Sequence, residues 1–127
     1  MNAQHIRSRG FTLVEIMIVV SMIGLLAGIA IPSMMRSRTQ AQKNGCIENL
    51  RQIDGAKQQW AMEKSQGSDV TPVDADLQPY LNRNGSGLMP ICPAGSVGST
   101  FDQTYTIKTV GENPECLIVP ATHVLPP

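Results

Sequence analysis

The chain has 127 residues and ten basic and ten acidic side chains, so its formal net charge is zero. This length leaves room for one domain with a small core. Residues 33–64 hold six basic and three acidic side chains, whereas residues 65–127 hold two basic and six acidic ones. The acidic part argues against nucleic-acid binding, because phosphate recognition requires clustered Lys and Arg. The uneven charge favours staggered contacts between copies of the chain, with two independently solvated surfaces as the alternative.

An apolar segment runs almost without interruption from Phe11 to Ile31. These 21 residues contain one ionisable side chain, that of Glu15. A helix of about 20 apolar residues crosses a hydrocarbon core of about 30 Å, so the segment is predicted to span a membrane. A carboxylate within such a helix costs about 2.5 to 3.5 kcal/mol on insertion scales. We therefore expect Glu15 to have a cationic partner.

A leader of ten residues precedes the apolar segment. It carries Arg7 and Arg9 but no apolar run, so it is not a complete secretory signal. The sequence GFTLVE follows at residues 10–15, and the apolar run contains Gly24 and ends before Pro32. This combination closely resembles the prepilin-type cleavage and methylation segment of type IV pilins and type II secretion pseudopilins.

The resemblance implies that another protein processes this chain. A prepilin peptidase would cut between Gly10 and Phe11 and methylate the new amino group of Phe11. The resemblance also implies that Glu15 of one subunit neutralises this amine on its neighbour and sets the axial register. Glu15 lies about 6 Å beyond Phe11 along a helix, and pairing removes the penalty on both charges. The alternative is a carboxylate that reaches water at the membrane interface.

Small residues and a proline mark the second half of the apolar segment. Gly24 and Gly28 form a GxxxG step, which permits close approach of another helix. Pro32 has no N–H and is expected to bend the helix or free a carbonyl one turn back. In the resembling pilins, the interval from such a glycine to such a proline can lose helicity on assembly. A static kink is the alternative here.

Residues 33–64 continue the helix as an amphipathic segment. Apolar residues recur at steps of three and four: Cys46, Ile47, Leu50, Ile53, Ala56 and Trp60. Several polar residues are predicted to point away from this stripe: Arg51, Gln52, Lys57, Gln58 and Lys64. Gly45 and Gly55 each weaken the helix by up to about 1 kcal/mol relative to alanine. The stripe is therefore expected to pack against the C-terminal part of the chain.

Residues 65–127 are rich in proline and glycine and predict a small head of turns and short elements. A short helix is expected from Asp74 to Leu81. Thr104–Val110 alternates as a strand, and Cys116–Val119 is its predicted hairpin partner. A third strand lies at Leu88–Cys92 or is absent. We therefore expect an α+β, type IV pilin-like fold, with a long N-terminal helix packed against an antiparallel sheet of two to three strands.

Three cysteines permit one disulfide and leave one thiol. A bond between Cys92 and Cys116 would close a loop of about 25 residues and contribute about 3 kcal/mol. This pairing is favoured because pilin-like heads often carry a disulfide near the C-terminus. Cys46 falls on the apolar stripe, where it is a small buried hydrophobe or takes part in another disulfide.

Residues able to carry chemistry are few. Asp74 and Asp76 could offer oxygens to calcium, although such a pair more often marks the start of a helix. His5 and His123 have no nucleophile or carboxylate at a telling spacing. We expect no enzyme activity, no cofactor and no metal.

The sequence thus predicts a leader (residues 1–10), a membrane and filament-core helix (11–32), an amphipathic half-helix (33–64) and a head (65–127). The expected function is that of a structural pilus subunit. It waits in the inner membrane as a single-pass prepilin and polymerises with copies of itself and other pilins on an assembly platform, into a periplasmic or extracellular filament. The alternatives are a pseudopilin of type II secretion and a membrane-anchored binding module that never polymerises.

Overall fold

The computed structural model describes residues 10–81 and 88–126. These residues form three helices and two strands: α1 (Leu13–Lys64), α2 (Asp74–Leu81), α3 (Phe101–Thr104), β1 (Tyr105–Thr106) and β2 (Glu115–Cys116). The chain divides into two compact units, Met1–Ser37 and Arg38–Pro127. Residues 1–9 of the predicted leader lie outside the described residues. The long helix and small antiparallel sheet confirm the predicted α+β, pilin-like fold.

The first unit contains the apolar half of α1. The helix begins after Thr12, whose Oγ1 accepts a hydrogen bond of 3.3 Å from the backbone N–H of Glu15. This is the interaction of an N-cap residue, which satisfies one of the free donors of the first turn. The helix continues through Gly24, Gly28 and Pro32. Loss of helicity between Gly24 and Pro32 on assembly stays a prediction.

The second unit is built around the apolar stripe of α1. Its buried apolar side chains are Cys46, Leu50, Ile53, Ala56, Trp60 and Ala61. They form one core with residues of the C-terminal part: Leu77, Leu81, Cys92, Phe101, Tyr105, Ile107, Val110 and Cys116. The predicted stripe is confirmed, except that Ile47 is only half-buried.

Lys57 was predicted to point away from the core, and this prediction was wrong. Its side chain is fully buried. Its Nζ donates hydrogen bonds to the carbonyl oxygens of Ile107 (3.1 Å), Thr109 (2.9 Å) and Glu112 (2.5 Å). Asp54 lies 3.6 Å from the same nitrogen. A buried ammonium is tolerated when its donors are satisfied, and the loop at residues 107–112 satisfies them.

The helix α2 has the predicted bounds. Its first turn is held by Asp76, whose Oδ2 accepts a hydrogen bond of 3.3 Å from the N–H of Val73. Leu77 and Leu81 face the core. The Tyr80 hydroxyl donates a hydrogen bond to Glu63 on α1. The bond to Glu63 attaches α2 to the last turn of α1, and the two leucines attach it to the core.

The two strands form the predicted antiparallel pair but are much shorter, and of the predicted partner Cys116–Val119 only Cys116 belongs to β2. They are antiparallel, with Tyr105 opposite Cys116 and Thr106 opposite Glu115. Thr104 does not begin the strand, because it ends α3. Residues 88–92 form no strand. Among the described residues the sheet therefore has two strands.

A change of direction at Lys108 explains why β1 ends early. Lys108 has a φ of 60°, a left-handed conformation that interrupts an extended strand. The N–H groups of Val110 and Gly111 then donate to the carbonyls of Val70 (3.0 Å) and Ser68 (2.9 Å) instead of to a hairpin partner. The alternation of the sequence reflects the burial of Tyr105 and Ile107, and Val110, three residues further on, is buried after the backbone has turned.

Candidate functional site

The N-terminal half of α1 exposes a continuous apolar surface. Large apolar side chains from Phe11 to Met35 are between 47% and 79% exposed. This part of α1 is long and apolar enough to cross a membrane, and none of its most apolar stretch is buried. Soluble proteins rarely expose a contiguous apolar patch of this extent. The surface therefore requires lipid or other apolar helices around it.

The predicted processing site lies just outside this helix. Gly10 and Phe11 are both exposed and precede the first helical residue, Leu13. Glu15 lies in the first turn of α1, where the helix dipole favours a negative charge. Among residues 10–81 and 88–126, no basic side chain forms an ion pair with Glu15. The predicted cleavage site and the predicted register residue thus lie together at one end of the helix.

The two glycines of the predicted packing face are open. A Cβ atom built on Gly24 or on Gly28 would meet nothing within 4 Å. Both positions lie on the exposed surface of α1, four residues apart and therefore on one face. The backbone is accessible there to a neighbouring helix, as a GxxxG step requires.

The cysteines of the second unit converge with a histidine. The Sγ atoms of Cys92 and Cys116 lie 3.7 Å apart. Nδ1 of His123 lies 3.7 Å from the first sulfur and 3.8 Å from the second. Cys46 completes the group, and the Tyr105 hydroxyl donates to its sulfur over 3.5 Å. All four residues are buried.

The predicted disulfide is not formed in this structure. All three cysteines are free, and 3.7 Å between Cys92 and Cys116 is well beyond a covalent S–S bond of about 2.05 Å. The fold nevertheless brings the two cysteines of the predicted pair together. Burial raises the pKa of the Cys46 and Cys92 thiols above the ordinary value, which favours the protonated, unreactive form.

Sequence reasoning missed the convergence of Cys46 and His123 on the other two cysteines. A disulfide accounts for two of three cysteines, and the remaining one fell on the apolar stripe, where it was interpreted as a buried hydrophobe or as part of another disulfide. The three cysteines and His123 are up to 77 residues apart along the chain. The sequence offered one signal for this cluster, the residue types themselves, because Cys and His both bind metal ions.

The acidic pair considered for calcium has separate partners. Asp76 caps α2 through the N–H of Val73. Asp74 instead interacts with Asp102. Burial, together with the hydrogen bond and repulsion from Asp102, raises the pKa of Asp74 to about 6. The two carboxylates of the DxD sequence are therefore used in different interactions.

Comparison with known proteins identifies similar sequences. A family model described as "Prokaryotic N-terminal methylation motif" matches residues 6–31. The chain is 41% identical over 63 residues to the type IV major pilin protein PilA of Myxococcus xanthus, covering 50% of this chain and 29% of that protein. It is 29% identical over 103 residues to the type II secretion system core protein G of Escherichia coli, covering 75% of this chain and 70% of that protein.

A third relative is the fimbrial protein of Pseudomonas aeruginosa. The identity is 37% over 103 residues, which is 80% of this chain and 66% of the relative. The chain thus spans less than a third of the Myxococcus pilin and about two thirds of the other two. No solved structure matched the chain. The methylation motif, the exposed apolar helix and these relatives together show that the chain belongs to the type IV pilin and type II secretion pseudopilin family.

Proposed function

We propose that this chain is a structural subunit of a type IV pilus-like filament. It is inserted in the inner membrane through the apolar half of α1 and cleaved by a prepilin peptidase between Gly10 and Phe11. The new amino group is methylated, and the subunit leaves the membrane to join a helical filament. The observation that carries the proposal is the exposed apolar surface from Phe11 to Met35, with one carboxylate near its start.

The filament removes this apolar surface from water, as the membrane does. A bundle of α1 helices buries the apolar side chains, each gaining about 1.5 to 3 kcal/mol on full burial. Gly24 and Gly28 allow neighbouring helices to approach closely, since nothing occupies the space above them. Pro32 leaves the carbonyl of Gly28 without its usual N–H donor. The interval from Gly24 to Pro32 is thus the part of α1 that deforms at least cost.

The charge near the helix start sets the axial position of each subunit. Cleavage creates a cationic amine on Phe11, and methylation keeps its charge. Inside a filament core both this amine and Glu15 are removed from water, so each is costly unless the two are paired. Pairing between neighbouring subunits is favourable in one register only, in which Glu15 of one subunit meets Phe11 of the next. Misplaced subunits leave two unpaired charges.

Replacing Glu15 tests the proposal directly. In cells that assemble filaments from this chain, Glu15→Ala is expected to leave cleavage intact and to lower the yield of sheared filaments roughly tenfold or more, because the amine stays unpaired. The matched control is Glu48→Ala, which removes an exposed carboxylate of the same helix that lies 3.5 Å from Arg51. Normal filament yield from the Glu15 variant would contradict the proposed role.

A pseudopilin of a type II secretion system is the second candidate. It is supported by the match to core protein G, which extends over 70% of that relative. Deletion of the gene separates the two functions. Loss of surface filaments with normal secretion of exoproteins supports the pilus subunit, and loss of secretion supports the pseudopilin. Protein found solely in membranes of assembly-competent cells would indicate a non-polymerising anchored module.

A further inference from the structure

The cluster of Cys46, Cys92, Cys116 and His123 is not used by the proposed function. Each residue comes from a different part of the second unit: α1, the loop before α3, β2 and the turn after β2. Their four donor atoms lie within 4.8 Å of one another. A disulfide would use two of these atoms. A tetrahedral metal ion uses all four.

The distances fit a tetrahedral ion. Zinc binds sulfur at about 2.3 Å and imidazole nitrogen at about 2.0 to 2.1 Å, so the tetrahedron edges are about 3.8 Å between sulfurs and about 3.6 Å between sulfur and nitrogen. The corresponding separations here are 3.7 Å for the Cys92–Cys116 pair and 3.7 and 3.8 Å from these sulfurs to Nδ1 of His123. An ion placed between these three atoms requires adjustments of only a few tenths of an ångström. The sulfur of Cys46 lies within 4.8 Å of each of them and has to move inward by up to about 1 Å to complete the tetrahedron.

The donor set selects the metal class. Three thiolates and one imidazole form one of the common structural zinc sites. Calcium and magnesium require oxygen ligands, and none of the four residues supplies one. The four side chains are between 0% and 4% exposed, so no ligand position is open to water. Closed four-ligand coordination is typical of structural rather than catalytic zinc.

Groups around the cluster hold the ligands in place. The Tyr105 hydroxyl donates to the sulfur of Cys46 and accepts a hydrogen bond of 3.0 Å from Asn49. Such outer hydrogen bonds orient metal ligands and stabilise thiolate sulfur.

The turn that carries Cys92 is also well defined. Its carbonyl accepts a hydrogen bond of 2.9 Å from the N–H of Gly95. The following Pro93 packs against α1 at Gly45, where a Cβ atom would lie 3.2 Å from its Cγ. Glycine at position 45 thus lets the Cys92 turn approach α1 beside Cys46.

We propose that Cys46, Cys92, Cys116 and His123 bind one zinc ion that fastens the C-terminal head to α1. Binding releases one proton from each of the three thiols, while neutral His123 contributes its Nδ1 lone pair. The resulting site carries one net negative charge. This inference does not depend on filament assembly.

The first test measures metal and thiols in the same sample. The full chain is purified from membranes in detergent, without reducing agent or chelator. We expect one zinc per chain by elemental analysis and three alkylatable cysteines after denaturation. Substitution with Co²⁺ should give the visible bands of tetrahedral cobalt and a thiolate-to-cobalt charge-transfer band. A Cys92–Cys116 disulfide with one free thiol and no metal would overturn the proposal.

Variants separate the zinc site from a disulfide. Cys46→Ser and His123→Ala should each lower Co²⁺ affinity at least about tenfold, because each removes one of the four ligands. Neither residue would be a partner in a Cys92–Cys116 disulfide. Thr122→Ala changes an exposed neighbour of His123 and should bind Co²⁺ as the wild type does. Unchanged Co²⁺ binding by both ligand variants would overturn the assignment. If a variant fails to fold, the metal and thiol content of the wild-type chain decides the question.

Discussion

The ionisation of Asp74 makes the stability of the folded protein depend on pH. Its carboxyl group is half-buried beside that of Asp102, and its pKa is raised from 3.8 to about 6. Between pH 3.8 and about 6, the folded state therefore keeps a proton on Asp74 that the unfolded state has released. Since stability falls wherever the folded state binds more protons, Asp74 makes the protein less stable as the pH rises from 3.8 to about 6.

Asp74→Asn should remove this dependence. Asparagine cannot ionise and can still hydrogen-bond to Asp102, so the variant should melt at a higher temperature than the wild type at pH 7. The difference should shrink as the pH is lowered through the window and vanish near its lower end. Thermal unfolding monitored by circular dichroism measures it, with the exposed Asp69→Asn as control. A difference that does not change with pH would contradict this account.

Lys57 acts between elements, because it joins α1 to the loop that follows β1. Burial lowers its pKa, so keeping the ammonium inside the protein has a cost. Three backbone carbonyls offset this cost by accepting its hydrogen bonds. These carbonyls face α1 because the backbone turns at Lys108. The loop and the lysine therefore depend on each other.

Lys57→Met is expected to lower the free energy of unfolding by about 2 to 4 kcal/mol. Methionine fills a similar volume but removes the donor of all three carbonyls, and only that of Thr109 keeps another one, the N–H of Glu112 at 3.2 Å. Each buried unsatisfied group costs about 1 to 3 kcal/mol before relaxation. Urea unfolding followed by the fluorescence of Trp60, the single tryptophan, measures the change. Lys64→Met, at an exposed position in the last turn of α1, should have little effect. Equal stability of the two variants would show that the carbonyls find other donors.

Elements set by local pattern were predictable, and those set by distant contacts were not. The apolar run, the stripe from Cys46 to Trp60 and the bounds of α2 follow from composition and periodicity. The burial of Lys57 depends on carbonyls some 50 residues away, which no local pattern reveals. The short strands have the same origin, because Val110 bonds to Val70 rather than continuing the hairpin.

The candidate site likewise has a part that could be predicted from the sequence and a part that could not. Gly10, Phe11 and Glu15 stand within six residues and could be identified from sequence. The cluster around Cys92 could not, since its four members are joined only when β2 and the final turn pack on α1. The residues were visible in the sequence, but their convergence is a property of the fold.

At the scale of the whole molecule, the two units have different requirements. Residues 38–127 form a core of their own, held by the stripe, Lys57 and the cysteine–histidine cluster. Residues 10–37 have no such core and expose apolar side chains along their helix. A chain built in this way has one part that is stable as a folded unit and one part that needs lipid or other copies. Polymerisation after processing is the central claim that follows.

The most direct test is the intact mass of the subunit in filaments sheared from the cell surface. Electron microscopy identifies the filaments, and mass spectrometry of the same sample gives the processed form. The account predicts a chain that begins at Phe11 and carries one added methyl group on its amino terminus. A filament subunit that retains residues 1–10, or sheared filaments that lack this protein while it remains in the membrane, would contradict it.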